Sequence, residues 1–282
     1  MTSALDDLVE LLVLEPIEVN IFRGMSPDEN RQRVFGGQVA GQALMAAVRT
    51  VDDDKAVHSF HSYFLRPGDP NAPILYEVDR IRDGRSFTTR RVVAIQHGRA
   101  IFNLQASFHA AEDGFDYQTA MPDVPDPETL PDYMTRWEPY KDQIGEWYER
   151  ARPIDTRPVE PFLGPKVASP TSDRQQVWFR ADGSLPDDPN LHACVAAYAT
   201  DMTILDTALL PHAISWDDNV MMASLDHALW FHRQFRADDW LLFDQVSPSS
   251  SGARGLGRGE MYTREGELVA SVMQEGLIRP LD

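Results

Sequence analysis

Cysteine is nearly absent from this sequence, because 282 residues contain a single thiol, that of Cys194. One thiol excludes an intrachain disulfide and a cysteine-based zinc site. Cys194 lies in an alanine-rich segment, which predicts a small buried side chain rather than a reactive nucleophile. The fold is therefore expected to hold without covalent cross-links.

Long apolar runs are also missing, since no segment approaches the roughly 18 consecutive apolar residues of a membrane span. The N-terminal MTSALDDLVELL places acids where a secretory signal would carry a basic stretch and an apolar run. The C-terminal RPLD is not a peroxisomal signal. We therefore expect a soluble, cytoplasmic protein without membrane insertion.

Positive charge is scarce: 26 Lys and Arg face 44 Asp and Glu, and the formal net charge is −18 at pH 7. This excess of acids argues against nucleic acid and anionic membranes as partners. Arginines are concentrated locally in DRIRDGRSFTTRR, residues 79–91. This segment predicts either the solvated face of a β-hairpin or a site for an anionic ligand.

The predicted elements occur twice in the same order, as a helix, a long strand and a three-strand meander. Dipeptide turns such as Asp83-Gly84 separate the strand-like runs, which indicates antiparallel hairpins. Each copy is preceded by an early strand, predicted at 17–24 and 177–183. The first copy comprises 34–51, 57–70, 74–82, 86–96 and 100–110, and the second comprises 191–210, 222–235, 240–247, 253–264 and 268–279.

An acidic, proline-rich segment, 111–167, separates the two copies. Its prolines disfavour regular structure at its start, whereas aromatic residues such as Trp137 predict that it packs on the domains. The sequence therefore predicts an N-terminal domain at 1–110, a linker at 111–167 and a C-terminal domain at 168–282.

Asp201 occupies an unexpected position in the second predicted helix. On a 3.6-residue period, the residues three and four positions away are all apolar or aromatic. They are Ala197, Tyr198, Ile204 and Leu205. Burial of an unpaired carboxylate is costly, so Asp201 should be paired, protonated or functional. Asp206 is a rival, because its helical neighbours are also largely apolar.

Two other polar residues point inward by the same reasoning. Gln274 alternates with apolar residues on one face of the last predicted strand. Ser224 begins the apolar long strand of the second copy. Each residue alone could be structural: Asp201 as a helix cap or a salt-bridged acid, Gln274 as an amide in the core, and Ser224 as a turn residue. Together with Asp201, they could satisfy one another or hold a water molecule.

Five motifs are specific when taken together: RVFGGQVAGQAL, HSFHSYFLRPGDP, RDGRSFTTRRV, ASLDHALWFHR and GELVASVMQEGLIR. They resemble the acyl-CoA thioesterase II family over nearly the whole chain. The resemblance implies an α+β double hotdog fold, in which two fused helix-plus-antiparallel-sheet units form one continuous sheet around two central helices. It also implies a role in fatty acid metabolism: metal-free hydrolysis of acyl-CoA to fatty acid and coenzyme A, without a cofactor. Homo-oligomers are expected from the resemblance alone.

The resemblance assigns the catalytic role to Asp201, Ser224 and Gln274, with Ser224 standing where some relatives have Thr. Asp201 would act as general base on water, oriented by the other two residues; an acyl-enzyme on Asp201 is the chemical alternative. A hand alignment of the two copies suggests one site per chain, because none of the three residues is repeated. The positions opposite them are Gln38, Val57 and Ala106.

Coenzyme A carries phosphates, which the net charge opposes, so a local basic site is needed. Arg85 and Arg254 are the predicted substrate-binding residues. Two alternatives remain, an acyl-CoA-binding protein without thioesterase activity and a hydratase-type hotdog protein. The family pattern of hydratases has a His on the helix, and neither predicted helix has a central His.

Two histidines of the second long strand do not predict a metal site. His227 and His232 are five positions apart on a predicted strand and therefore point to opposite faces. Ser224, Asp226 and His227 also crowd within four residues of one segment, which excludes a Ser-His-Asp triad assembled from separate elements.

Overall fold

A computed structural model of the chain describes residues 3–27, 32–160, 172–215 and 218–281. The helices are α1 (Ala4–Leu12), α2 (Gly36–Val48), α3 (Tyr133–Trp137), α4 (Lys141–Ile144), α5 (Glu146–Glu149) and α6 (Pro189–Thr200). The strands are β1 (Glu15–Glu18), β2 (Ile21–Gly24), β3 (Lys55–Phe64), β4 (Ile74–Asp83), β5 (Phe87–Gln96), β6 (Arg99–Ala110), β7 (Ile154–Pro158), β8 (Arg174–Ala181), β9 (Val220–Ser224), β10 (Asp226–Phe231), β11 (Leu241–Ser251), β12 (Arg254–Thr263) and β13 (Leu268–Pro280). Across these described residues, no α-helix is long and apolar enough to cross a lipid bilayer.

One 13-stranded sheet runs through both halves of the chain, in the order β1-β2-β4-β5-β6-β3-β10-β13-β12-β11-β8-β7, with β9 also paired to β13. The halves join where β3 pairs antiparallel with β10 and Phe60 lies opposite Leu229. Pairing the two sheets edge to edge covers an exposed edge of each half. The predicted α+β architecture of two units sharing one sheet is confirmed.

The two long central helices, α2 and α6, pack against each other. Both are buried around most of their circumference, and their small residues, Gly and Ala in α2 and Ala in α6, allow close packing. At Gly41, an added Cβ would lie 3.1 Å from the carbonyl oxygen of Cys194. Cys194 is fully buried, as predicted, and burial raises the pKa of its thiol.

The linker segment packs on the second half of the sheet. Its strand β7 pairs with β8 at the sheet edge, and Trp178 Nε1 donates a 3.0 Å hydrogen bond to Pro125 O. These contacts agree with the expectation that the segment packs rather than extends into solvent. The domain limits stay predictions, and the boundary between 167 and 168 lies outside the described residues.

The predicted helix at 191–210 ends ten residues early, at Thr200. The chain continues as turns, including 3-10 turns at Asp206–Ala208 and Leu210–His212. These turns lie directly on strands that carry glycine: a Cβ at Gly257 would lie 2.7 Å from Ile204 Cγ1 and from Ile204 O. The helical period of the sequence could not reveal this contact, because the contact is made with a distant strand.

The predicted long strand at 222–235 is also interrupted, at Leu225. Both β9 and β10 pair with β13, but Ser224 lies opposite Gly276 whereas Ala228 lies opposite Met273. Ser224 and Ala228 are therefore four residues apart, whereas their partners Gly276 and Met273 on β13 are three residues apart. The extra residue is a β-bulge, a feature that re-aims side chains.

Candidate active site

Asp201 directly follows α6, where it is the C-cap residue. Its side chain is only 4% exposed. Because Ile204 and Leu205 are not helical, the burial does not come from the helical stripe that the sequence predicted. It comes from the start of α2, where a Cβ added to Gly36 would lie 2.7 Å from Asp201 Oδ2. Gly36 therefore makes room for the carboxylate.

The structure brings the three predicted catalytic residues together at one oxygen atom. Gln274 Nε2 donates a 2.7 Å hydrogen bond to Asp201 Oδ1, and Ser224 Oγ donates to the same atom at 3.4 Å. Gln274 is fully buried, and its Oε1 has no hydrogen-bond partner among the described residues. A buried amide oxygen without a partner indicates a place where a water or substrate donor can bind.

His227 is a member of this cluster that the sequence reasoning missed. Its Nδ1 lies 3.6 Å from Asp201 Oδ1, and the side chain is 0% exposed. Ser224 and His227 are three positions apart and would face opposite sides of a regular strand, but the bulge turns both toward Asp201. The sequence LDHALWF indicates that His227 faces inward, because it alternates with the apolar residues Leu225, Leu229 and Phe231.

The other histidine of this segment, His232, behaves as predicted. It lies on the opposite face, where its Nε2 is 2.9 Å from Ser271 Oγ. The two histidines therefore do not converge on a common site.

The N-terminus of α2 is the second component of the site. Its N-cap residue, Phe35, provides no side-chain hydrogen bond to the first turn. The free N–H groups of a helix start carry partial positive charge and bind anions. Because a Cβ added at Gly36 would meet Asp201 Oδ2, this carboxylate oxygen lies next to the start of α2.

Asp206, the rival carboxylate, lies in the turn after Asp201. Protein atoms surround it on most sides, and this burial, together with the negative charge of Asp201, raises the pKa of Asp206 to about 7. The residue nevertheless keeps an exposed face, so solvent screens part of this effect. Within the described structure, the hydrogen bonds from Gln274 and Ser224 reach Asp201 and not Asp206.

A cleft of about 880 Å³ adjoins these residues. Phe35 and Met202, the immediate neighbours of Gly36 and Asp201, line it together with both apolar and charged side chains. The charged residues of the cleft are Asp7, Glu10, Glu15, Arg23, Arg150 and Arg152.

Neither predicted substrate-binding arginine lines this cleft. Arg254 Nε donates a 2.9 Å hydrogen bond to Glu275 Oε1. Arg85 is exposed in the turn between β4 and β5.

The first half of the chain has no equivalent carboxylate at the matching position. The C-cap of α2 is Arg49 and that of α6 is Asp201, so the helix ends match Asp201 with Arg49. The hand alignment had instead placed Gln38 opposite Asp201. The other two positions, Val57 and Ala106, are buried and apolar.

Comparison with known proteins gives matches over both halves. The family model described as "Acyl-CoA thioesterase" matches residues 143–277, and that described as "Acyl-CoA thioesterase N-terminal domain" matches residues 26–109. Acyl-coenzyme A thioesterase 8 of Homo sapiens is 43% identical over 288 residues, covering 95% of this chain and 88% of that protein. Acyl-CoA thioesterase 2 of Haemophilus influenzae is 38% identical over 287 residues, covering 99% of each chain.

Solved structures agree with these matches. The crystal structure of an acyl-CoA thioesterase II from Mycobacterium marinum has a TM-score of 0.82 at 48% identity, covering 98% of this chain and 99% of that one. A protein of unknown function with a hot dog fold from Alicyclobacillus acidocaldarius has a TM-score of 0.79 at 19% identity, a likeness of fold alone. The chain therefore belongs to the acyl-CoA thioesterase II family and has its double hotdog fold.

Proposed function

We propose that this chain hydrolyses acyl-CoA thioesters to a free fatty acid and coenzyme A, with Asp201 as the general base. One observation carries the proposal. Ser224 and Gln274 hold Asp201 Oδ1, while Asp201 Oδ2 faces Gly36 at the start of α2. A base whose second oxygen lies beside anion-binding N–H groups suits a reaction that generates an oxyanion next to an activated water.

In the proposed reaction, a water molecule attacks the thioester carbonyl while Asp201 Oδ2 takes one of its protons. The unpartnered Gln274 Oε1 accepts the other hydrogen of this water, and Ser224 Oγ lies close enough to assist. Ser224 and Gln274 thus orient the base as well as the water. Their hydrogen bonds to Oδ1 support this double role.

The tetrahedral intermediate carries negative charge on the former carbonyl oxygen. The backbone N–H groups of Gly36 and Gly37, at the start of α2, are the proposed donors to this oxyanion. When the intermediate collapses, the C–S bond breaks and coenzyme A leaves as a thiolate. The thiolate takes the proton from Asp201, which restores the carboxylate.

The adjoining cleft is the proposed site for the substrate. Its apolar side chains suit an acyl or pantetheine chain, and Arg23, Arg150 and Arg152 are cations that could meet phosphate groups. Arg85 and Arg254, expected from the sequence, remain candidates for the phosphates.

Thiol release from acyl-CoAs of short to long chain, with the products analysed by mass spectrometry in H₂¹⁸O, tests this function. Hydrolysis predicts one free thiol per fatty acid and one ¹⁸O in that acid. Saturable acyl-CoA affinity without thiol release would instead indicate a binding protein. After a single turnover, ¹⁸O in the carboxylate of Asp201 would replace the general-base route with an acyl-enzyme.

A second candidate function is hydration of an enoyl-CoA, because the structure places a His beside Asp201. Water added across the double bond of an enoyl-CoA, with the thioester left intact, would favour this alternative. Homo-oligomerisation and a cytoplasmic location stay predictions from the resemblance and the sequence.

A further inference from the structure

We propose that His227 is a positioning residue, whose Nδ1–H is directed at Asp201 Oδ1 and leaves Oδ2 as the basic oxygen. This inference rests on the proposed function, because it concerns the same carboxylate. It adds a fourth residue to the three that the sequence predicted.

The His227 ring buries a nitrogen that has no hydrogen-bond partner among the described residues. His227 is 0% exposed, and this nitrogen is Nδ1. Asp201 Oδ1 lies 3.6 Å from this atom, slightly beyond ordinary hydrogen-bond length. Catalytic hydrogen bonds are often long before substrate binds and shorten in the complex. A buried nitrogen without any partner would be costly, so closure of this contact is favourable.

The hydroxyl of Thr200 determines which ring nitrogen of a neutral His227 carries the proton. His227 Nε2 lies 3.2 Å from Thr200 Oγ1, and that hydroxyl lies 2.9 Å from Ala196 O. If the hydroxyl donates to Ala196 O, it must accept from Nε2–H. A neutral ring would then present the Nδ1 lone pair to the Asp201 carboxylate, which is repulsive.

If the Thr200 hydroxyl instead donates to Nε2, the neutral ring carries its only proton on Nδ1. This second arrangement directs the Nδ1–H group of a neutral ring toward Asp201 and avoids the repulsion.

The surroundings of the ring hold it in this orientation. Ser62 Oγ donates a 2.7 Å hydrogen bond to the His227 carbonyl, and the Phe60 ring lies 5.9 Å from the imidazole. The titratable groups near the ring are acidic: Asp201 lies in front of it, and Asp226 is its neighbour on β10. Asp206 interacts electrostatically with Asp201. These carboxyl groups favour the tautomer whose N–H group, rather than its lone pair, faces Asp201.

The two oxygens of Asp201 therefore have different roles: Oδ1 accepts hydrogen bonds from the protein, and Oδ2 is the basic oxygen. Gln274 Nε2, Ser224 Oγ and His227 Nδ1 all approach Oδ1. Oδ2 faces Gly36 at the start of α2. With three donors on one oxygen, the carboxylate cannot rotate freely, and its second oxygen stays aimed at the water. Loss of such alignment can cost about 100-fold in rate.

Three substitutions of His227 separate positioning from packing. In His227→Asn, the amide nitrogen replaces Nδ1, whereas in His227→Gln it replaces Nε2 instead; His227→Phe keeps a ring without a donor. We expect His227→Asn to retain kcat within about tenfold, and the Gln and Phe variants to lose about 100-fold. KM for acyl-CoA should change little in all three, because the ring contacts Asp201 and not the substrate.

Circular dichroism and thermal unfolding establish that each variant is folded. A folded His227→Phe variant with nearly full kcat would overturn the proposal, as would equal losses in the Asn and Gln variants. A variant that fails to fold is replaced by a measurement on the wild-type protein.

That measurement is ¹⁵N NMR of the histidine rings, with His227 assigned by the loss of its signal in His227→Asn. A protonated Nδ1 that responds to Asp201→Asn supports the positioning role, and an unprotonated Nδ1 overturns it. The NMR spectrum does not depend on turnover. Absence of thiol release would therefore contradict the proposed function without affecting the NMR result.

Discussion

Gln274 Nε2 donates a 2.7 Å hydrogen bond to Asp201 Oδ1, and this bond ties the last strand of the sheet to the end of the second central helix. The two residues are 73 positions apart in the chain. The placement of the proposed base therefore depends on the tertiary fold and not on the local sequence around Asp201.

Replacement of Gln274 by Ala should lower kcat by about 10- to 100-fold, because Asp201 Oδ1 loses its shortest hydrogen bond and the water loses an acceptor. Thiol release under saturating acyl-CoA measures the effect. Gln176→Ala is the matched control, since Gln176 Nε2 donates a similar 3.1 Å bond to Asp244 on the neighbouring strand. Equal losses in both variants would mean that the effect is structural.

Gly36→Ala should reduce kcat by about 100-fold, because the new Cβ would lie 2.7 Å from Asp201 Oδ2 and displace the carboxylate. The control is Gly114→Ala, where an added Cβ meets nothing within 4 Å. Steady-state kinetics of both folded variants provide the comparison. Wild-type activity in Gly36→Ala would show that Oδ2 need not occupy this position.

Ser224→Thr should keep most of the activity, because the hydroxyl that reaches Asp201 Oδ1 at 3.4 Å is retained. Ser224→Ala removes that hydroxyl and should lower kcat by about fivefold, in line with a net hydrogen-bond contribution of about 1 kcal/mol. The comparison of the two kcat values checks the prediction. If the Ala variant is as active as the Thr variant, the hydroxyl has no role.

Asp206→Asn should stabilise the protein at alkaline pH and leave kcat within about twofold. The pKa of Asp206 is raised from 3.8 to about 7 in the folded state, so folding favours the protonated form. The wild type therefore loses stability as the pH rises from about 4 to 7, and the Asn variant lacks this loss.

Allowing for solvent screening at the exposed face of Asp206, the gain at pH 8 should be about 1 kcal/mol, or about 2–4 °C in Tm. Thermal unfolding at pH 4 and pH 8 measures this difference. A variant that is less stable than the wild type at pH 8 would contradict the raised pKa.

The sequence predicted much of this site, because alternation and helical period locate inward-facing polar residues. Gln274 was found in this way, and the same alternation in LDHALWF would have identified His227. Asp201 is buried, as expected, but the predicted helix end was wrong, since the turn after Thr200 packs on Gly257.

The bulge that turns Ser224 and His227 toward one carboxylate was beyond sequence reasoning. It is defined by the register of β9 and β10 against β13, and pairing register is a tertiary property. For the same reason, the proximity of Gly36 to Asp201 could not be read from two segments so far apart in the chain.

The most direct test of the account is thiol release by wild type and Asp201→Asn, side by side, over a panel of acyl-CoAs. Asn preserves the shape of the side chain but cannot accept a proton as a base. The account predicts that the folded variant loses at least about 100-fold of the wild-type rate. Equal rates would contradict the role of Asp201 as general base and would make Asp206 the next residue to test.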